Sequence, residues 1–304
     1  MERLTASVLQ KMRIAAMVLF GACAAVGCGG VSASSPPPAT GVRAADIDDV
    51  SAGLMEHHRH HHHGGVTLMV ALSLDTLGVS PEQRTAVEKV RNDLHARMEP
   101  ARAAEQKLVT VLADGLAADN LDRASADAAV AQVAAAAAKV HDASTDALNE
   151  LHTVLTPPER AALVDKVEAH WAVWQKANAE ETDPRNPERG LLEMLATDLG
   201  LTQDQIDKIR AGLGEGMKAV PRLDPQEIAA HLRAFGEAFR REKFDARLLT
   251  TANGANAHLA GWGAAHLARF IEAVSPVLRP DQRARFAQRL REHATHTSGN
   301  GGEQ

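Results

Sequence analysis

Six of the seven residues between His57 and His63 are histidine: His57, His58, His60, His61, His62 and His63, broken only by Arg59. Neutral imidazole is a ligand for Zn²⁺, Cu²⁺ and Ni²⁺, and a run this dense binds such ions wherever the strand can wrap them. Without a fixed geometry the tract discriminates poorly between metals, which suits holding or buffering an ion better than catalysis with it. Two plainer readings stand beside this one, a solvated low-complexity stretch with incidental metal affinity and an engineered tag. The internal position, the interrupting Arg59 and the apolar leader upstream argue against a tag.

Other residues capable of chemistry are sparser. His293 and His296 form an i, i+3 pair on a helical stretch near the C-terminus, a spacing that suits a metal or the helix's terminal carbonyls. His95, His141, His152, His170, His231, His258 and His266 are scattered without carboxylate spacing and read as surface or partly buried helix residues. The chain contains no HExxH, P-loop, GxSxG or EF-hand pattern and no cysteine pair for redox work, so no enzyme is expected and no cofactor is required. Gly212, Gly214 and Gly216 follow no strand and fall inside a helical period, so they read as a flexible or closely packed stretch.

The leader is an address. Arg3, Lys11 and Arg13 precede an apolar run from Ile14 to Val26, too short to span a bilayer as a helix and patterned as an export signal. It closes on Ala25-Val26-Gly27-Cys28, which resembles a bacterial lipobox and makes Cys28 the expected lipidation site, with Cys23 a second candidate. Gly29 after it, by resemblance to enteric lipoproteins, points to the outer rather than the inner membrane. Both cysteines lie at or before position 28, so the body forms no internal disulfide. From Gly29 to Thr40 the chain is almost entirely Gly, Ser, Ala and Pro, a flexible tether.

Composition bounds the rest. The 304 residues are 45% hydrophobic and only 3% aromatic, with no tyrosine, and they are rich in alanine and leucine, which favours helices over sheets. The formal charge is −6, and the leader's Glu2, Arg3, Lys11 and Arg13 contribute two net positive charges, so the remainder carries −8. An acidic body argues against nucleic acid as a partner.

The chain repeats itself. Leu77-Gly78-Val79-Ser80-Pro81-Glu82-Gln83 recurs as Leu199-Gly200-Leu201-Thr202-Gln203-Asp204-Gln205, and Val154-Leu155-Thr156-Pro157-Pro158-Glu159-Arg160 recurs as Val277-Leu278-Arg279-Pro280-Asp281-Gln282-Arg283, at offsets of 122 and 123. Pro100 and Pro221 sit in the same relative place, and the lead-in Met69–Leu77 parallels Leu191–Leu199. We read a tandem duplication. Ser80, Thr156 and Thr202 are N-cap residues, and Gln83, Glu159 and Gln205 three positions later complete capping boxes; Arg279 is a poor cap. Pro81, Pro157 and Pro280 occupy first helical positions.

Behind the caps the apolar period is helical. Val87, Val90, Leu94 and Met98, continued by Leu108, Val111 and Leu112, predict one helix over 81–113, kinked at Pro100 and roughly 50 Å long at 1.5 Å per residue. Ile206, Ile209, Leu213, Met217 and Val220 make the matching stripe, which Pro221 ends, and Asp224-Pro225-Gln226-Glu227 starts another helix. Residues 125–154 and 256–277 read as return helices. Each unit is then a bent antiparallel helical hairpin, too thin to bury both faces alone.

A helix start of the form Leu-Thr-x-x-Gln, used twice per unit about eighty residues apart, resembles the Spy/CpxP family of periplasmic helical proteins. The whole pattern stands at Leu201-Thr202-Gln203-Asp204-Gln205, and the starts at 79–83, 155–159 and 278–282 depart from it by one or two residues. The resemblance covers about 66–296. It implies an all-α fold of interlocked hairpins forming a cradle, and one of three roles: ATP-independent chaperone, envelope-stress regulator, or sensor or buffer of zinc, copper, nickel or cobalt. Unfolded envelope proteins would be partners, with a membrane sensor protein for a regulator. The acidic charge departs from the basic cradle of the best-known chaperone of the family.

The layout expected from sequence is a lipoprotein signal at 1–27, a tether with the His tract at 28–65, helical units at 66–178 and 190–297 joined by a linker at 179–189, and a tail at 298–304. If such hairpins pair between chains in the family, two in tandem can pair within one chain as a pseudo-dimer. Phe235, Phe239, Phe244, Trp262, Phe270 and Phe286 all fall in the second unit, with Trp171 and Trp174 at the end of the first. Of these, Phe235, Phe239, Phe244 and Trp262 are candidates for a client-binding face, against the plainer reading of core packing. The function expected first is a lipid-anchored periplasmic chaperone or stress protein, and second a Zn, Cu or Ni sensor or buffer working through the His tract.

Overall fold

The computed structural model describes residues 64–181 and 191–299, all within one unit spanning Gly41–Gln304. Cys28, the tether, the His tract, residues 182–190 of the linker region and the last five residues lie outside the described residues. Every regular element among them is helical. The helices are α1 (Gly65–Asp75), α2 (Pro81–Ala117), α3 (Arg123–Ala137), α4 (Val140–Val154), α5 (Pro157–Glu181), α6 (Leu191–Leu199), α7 (Gln203–Gly216), α8 (Pro225–Phe239), α9 (Ala252–Val274) and α10 (Pro280–Gly299). The all-α expectation holds.

Local chemistry explains most boundaries. Capping boxes form at Ser80–Gln83 and Thr202–Gln205, where α2 and α7 begin. Pro100 does not stop α2, which continues through it to Ala117. Pro221 sits in the break between α7 and α8, and Asp224 starts α8 by accepting from the Gln226 N–H at 2.9 Å. The return helix of the first half differs from expectation. It begins earlier, at Arg123, because the Asp122 carboxylate accepts from the Ala124 and Ser125 N–H groups, and it is split in two at Ala138-Lys139.

That split has a tertiary reason. The buried apolar residues form two cores. Ala126, Ala129, Val133 and Ala137 of α3 face one, whereas Val140, Ala147, Leu148 and Leu151 of α4 face the other. The break lies where the chain passes between them. Two long helices serve both: α2 gives Val87 to Ala101 to the first core and Leu108 to Leu116 to the second, with Pro100 near the crossing, while α9 gives Ala252, Ala255 and Leu259 to the first and Ala260 to Val274 to the second.

The sequence repeats are therefore not two separate bodies. The first core holds α1, α4, α5 and the start of α2 from the first half, filled by α8 and the start of α9 from the second. The second core holds α6, α7, α10 and the end of α9, filled by α3 and the end of α2. Each half sends its hairpin tip into the core of the other, which removes the problem of a hairpin too thin to bury both faces. Close packing seals the exchange: a Cβ on Gly236 of α8 would lie 2.7 Å from Val164 Cγ1 of α5.

Helix α1 lies deepest, with Val66, Leu68, Met69, Val70, Ala71 and Leu74 all buried. Its first turn is held by the other half. Asn256, fully buried on α9, accepts from the Val66 N–H at 2.8 Å and donates to Thr67 Oγ1 at 3.3 Å. Gly65 has φ +54° and would place a Cβ 2.7 Å from Asn256 Cα, so both its conformation and its surroundings require glycine.

Candidate functional site

The helix-start residues do more than cap. Gln83 accepts from the Ser80 N–H through Oε1 at 3.2 Å, and its Nε2 crosses to the first half's other motif, donating to Val154 O at 2.9 Å and to Glu159 Oε2 at 2.8 Å. In the second half Gln205 accepts from the Thr202 N–H at 3.0 Å and donates to Val277 O at 2.9 Å and Gln282 Oε1 at 2.8 Å. The same bonds thus join equivalent residues in both halves and tie the start of one helix to the start of another.

The reach-back of the third helical residue is also repeated. Glu159 Oε2 accepts from the Thr156 N–H and hydroxyl, both at 2.8 Å, and Gln282 Oε1 accepts from the Arg279 N–H at 3.0 Å. Arg279 offers no side-chain cap, yet this half of the box survives because it needs only a backbone N–H. The next residue anchors the opposite tip: Arg160 donates to Leu155 O at 3.1 Å and to Arg241 O at 2.8 Å, while Arg283 donates to Leu278 O at 2.8 Å and pairs with Asp119 at 2.9 Å. Arg241 and Asp119 occupy equivalent turns, each at the tip of the other half. The sequence showed the glutamines as caps; their reach across to the second motif was signalled only by the fixed spacing of the paired starts.

The four aromatic candidates lie together in the first core. Phe235 and Phe239 are buried and stacked at 5.1 Å, Phe244 meets Phe239 edge-on at 5.0 Å, and Trp262 meets Trp174 at 5.4 Å. Phe244 and Trp262 are only partly buried. Phe235 and Phe239 are interior residues in this structure, because the tip that carries them fills the other half's core. Among the described residues the exposed large hydrophobics are Met194 and Leu248. A client could meet Phe235 and Phe239 only after the tip had moved.

The histidines divide by environment. His141 Nε2 donates to Ala246 O at 2.8 Å, and the ring lies edge-on to His231 with ring centres 6.4 Å apart. His231 bonds Thr251 Oγ1 at 3.0 Å, and burial, helped by the neighbouring His141, pulls its pKa down to about 4. His170 is lowered to about 4 by burial and by Lys166. His152 stacks on Phe244 at 5.2 Å and contacts Arg241 O at 2.9 Å, seating the second half's tip. His258 pairs with Glu227 at 2.7 Å across α8 and α9, a pair that is largely exposed. No group of three or more His, Cys, Asp or Glu placed to hold a metal occurs among the described residues. The side chains of His293 and His296 and the whole tract His57–His63 fall outside them.

No described helix is long and apolar enough to cross a membrane.

Residues 49–162 match a family model described as heavy-metal resistance. The match takes in the His tract and the first half up to the start of α5, a little over a third of the chain. It agrees with the metal-handling roles that the Spy/CpxP resemblance implies, and leaves the second half unmatched. No curated protein and no solved structure matches the chain significantly.

Proposed function

We propose that this chain is an exported heavy-metal-binding protein that carries Zn²⁺, Cu²⁺ or Ni²⁺ as cargo on the imidazoles of His57, His58, His60, His61, His62 and His63. The observation that carries the reading is the heavy-metal resistance match over 49–162, which encloses the one dense donor set in the sequence. The interlocked helical body, read as a duplicated hairpin folded into an intramolecular pseudo-dimer, is the scaffold to which the tract is joined at Gly64-Gly65. The Ala25-Val26-Gly27-Cys28 sequence supports attachment to the envelope through a lipid on Cys28, with the Gly/Ser/Pro tether giving the tract its reach. The acid–base and nucleophilic patterns of enzymes play no part in this reading.

Chaperoning of unfolded envelope proteins is the second reading. It is favoured by the interlocked hairpins but disfavoured by the interior position of Phe235 and Phe239. Calorimetric titration of Zn²⁺, Cu²⁺ and Ni²⁺ into the chain from residue 28 onward (Cys28→Ser, to exclude the thiol) separates the two. Binding is expected, and it should disappear when the six tract histidines are changed to glutamine. Undiminished binding by that variant, or suppression of client aggregation with no metal binding at all, would move the assignment to the chaperone.

A further inference from the structure

We propose that the Gln83–Glu159 junction is an acid-labile latch: protonation of Glu159 opens the first half's junction while the matching Gln205–Gln282 junction holds. The two share one bond pattern, and of the positions at which they differ (Ser80 against Thr202, Thr156 against Arg279, Glu159 against Gln282) only Glu159 titrates in acid. Glu159 Oε2 accepts three donors, the Thr156 N–H, the Thr156 hydroxyl and Gln83 Nε2, each at 2.8 Å. A carboxylate oxygen satisfies that demand, whereas a protonated carboxyl gives up acceptor capacity and brings an O–H that needs an acceptor of its own. Val154 O already receives Gln83 Nε2. Gln282 is neutral at every pH, fully buried, and donates through Nε2 to Leu199 O at 3.2 Å and Gly200 O at 3.3 Å.

The charged and titratable groups of the surrounding elements are committed elsewhere or face solvent. On α2, Glu82 is bonded to Ser80 and Arg84 is exposed. On α4, Glu150 pairs with Lys89, and His152 contacts Arg241 O. Arg160 on α5 is taken by Leu155 O, Arg241 O and His152 Nε2, the last at 2.8 Å. At the end of α8, Arg240 pairs with Asp165 and Glu168. Partial burial raises the Glu159 pKa, but the bonds from the Thr156 N–H, Gln83 and the Thr156 hydroxyl outweigh it, leaving the group below its ordinary 4.5. Its stabilisation is therefore complete above pH 4.5 and is lost as the pH falls through the lower folded value. Because Arg160 holds the second half's tip, release at Glu159 loosens the end of α8, where Phe239 and Phe244 pack.

The test is hydrogen exchange on the purified whole chain at pH 7 and at about pH 3.5, corrected for intrinsic rates. Global unfolding affects both junctions alike, so the difference between them is the readout. Protection at residues 80–84 and 156–160 should fall on acidification while that at 202–206 and 279–283 is kept. In Glu159→Gln the first junction should become as acid-resistant as the second. A parallel loss at both junctions in the wild-type chain overturns the proposal, as does an unchanged acid loss at the first junction of Glu159→Gln. His170 and His231 of the first core, with pKa lowered to about 4, also take up protons by pH 3.5, so the deciding comparison is wild type against Glu159→Gln. Gln282→Glu is the second variant, expected to make the second junction acid-labile.

Discussion

His170 and His231 are uncharged inside the first core because burial penalises the imidazolium, and each has its pKa pulled down to about 4 from an ordinary 6.5. Between those values the unfolded chain takes up protons that the folded chain refuses. The stability due to neutral burial is whole above pH 6.5 and is lost as the pH falls through about 4. A shift of this size represents on the order of 3 kcal/mol per histidine. His231→Gln is expected to cost stability at pH 7, where its bond to Thr251 and its packing are lost, and to flatten the acid slope. Urea midpoints measured from pH 7 to pH 4.5 should show the gap between wild type and variant closing as the pH drops. A gap that stays constant would mean His231 is not held neutral. Above pH 4.5, where the Glu159 contribution is complete, the titration reads the histidines.

The lead-in helices α1 and α6 show how like sequences become unlike elements. Both are short apolar segments ahead of a helix start, yet α1 is buried around most of its circumference while α6 buries Leu195 and Leu199 and leaves Met194 exposed. What distinguishes α1 is its seat against α9, where Asn256 takes the Val66 N–H. A helix's first N–H groups have no partner within the helix, and one buried without any costs about 1–3 kcal/mol. Asn256→Ala should therefore destabilise the chain by about that amount, seen as a lower melting temperature together with faster exchange at the start of α1. An unchanged melting temperature would show that the bond contributes nothing net.

At the scale of the molecule, the core of each half is completed by the other. The first half alone would lose Phe235, Phe239 and Leu259 from its interior, and Leu108, Leu112 and Leu116 at its own tip would face water. A chain limited to 64–181 is expected to show no cooperative unfolding as a monomer. Mixing it with 191–299 should restore a cooperative transition, followed by circular dichroism. Cooperative monomeric folding of 64–181 by itself would refute the shared-core account. The long α2 and α9 run through both cores, so each core needs helices that the other also uses.

The sequence by itself determined the helical class, the helix starts at Ser80, Thr156 and Thr202, the break at Pro221 and the new start at Asp224, because caps, prolines and the 3.6-residue period act within a few residues of chain. It also carried the metal reading, since six imidazoles in seven positions are a dense donor set before any fold is known. Tertiary structure decided the rest. The helix break at Ala138-Lys139 has no glycine or proline to announce it and follows from the change of core. The burial of Phe235 and Phe239 depends on which half they enter. The reach of Gln83 to Glu159 and of Gln205 to Gln282 depends on bringing together residues more than seventy positions apart. Local pattern fixes where a helix begins, but which surface it covers is set by the partner that fills it.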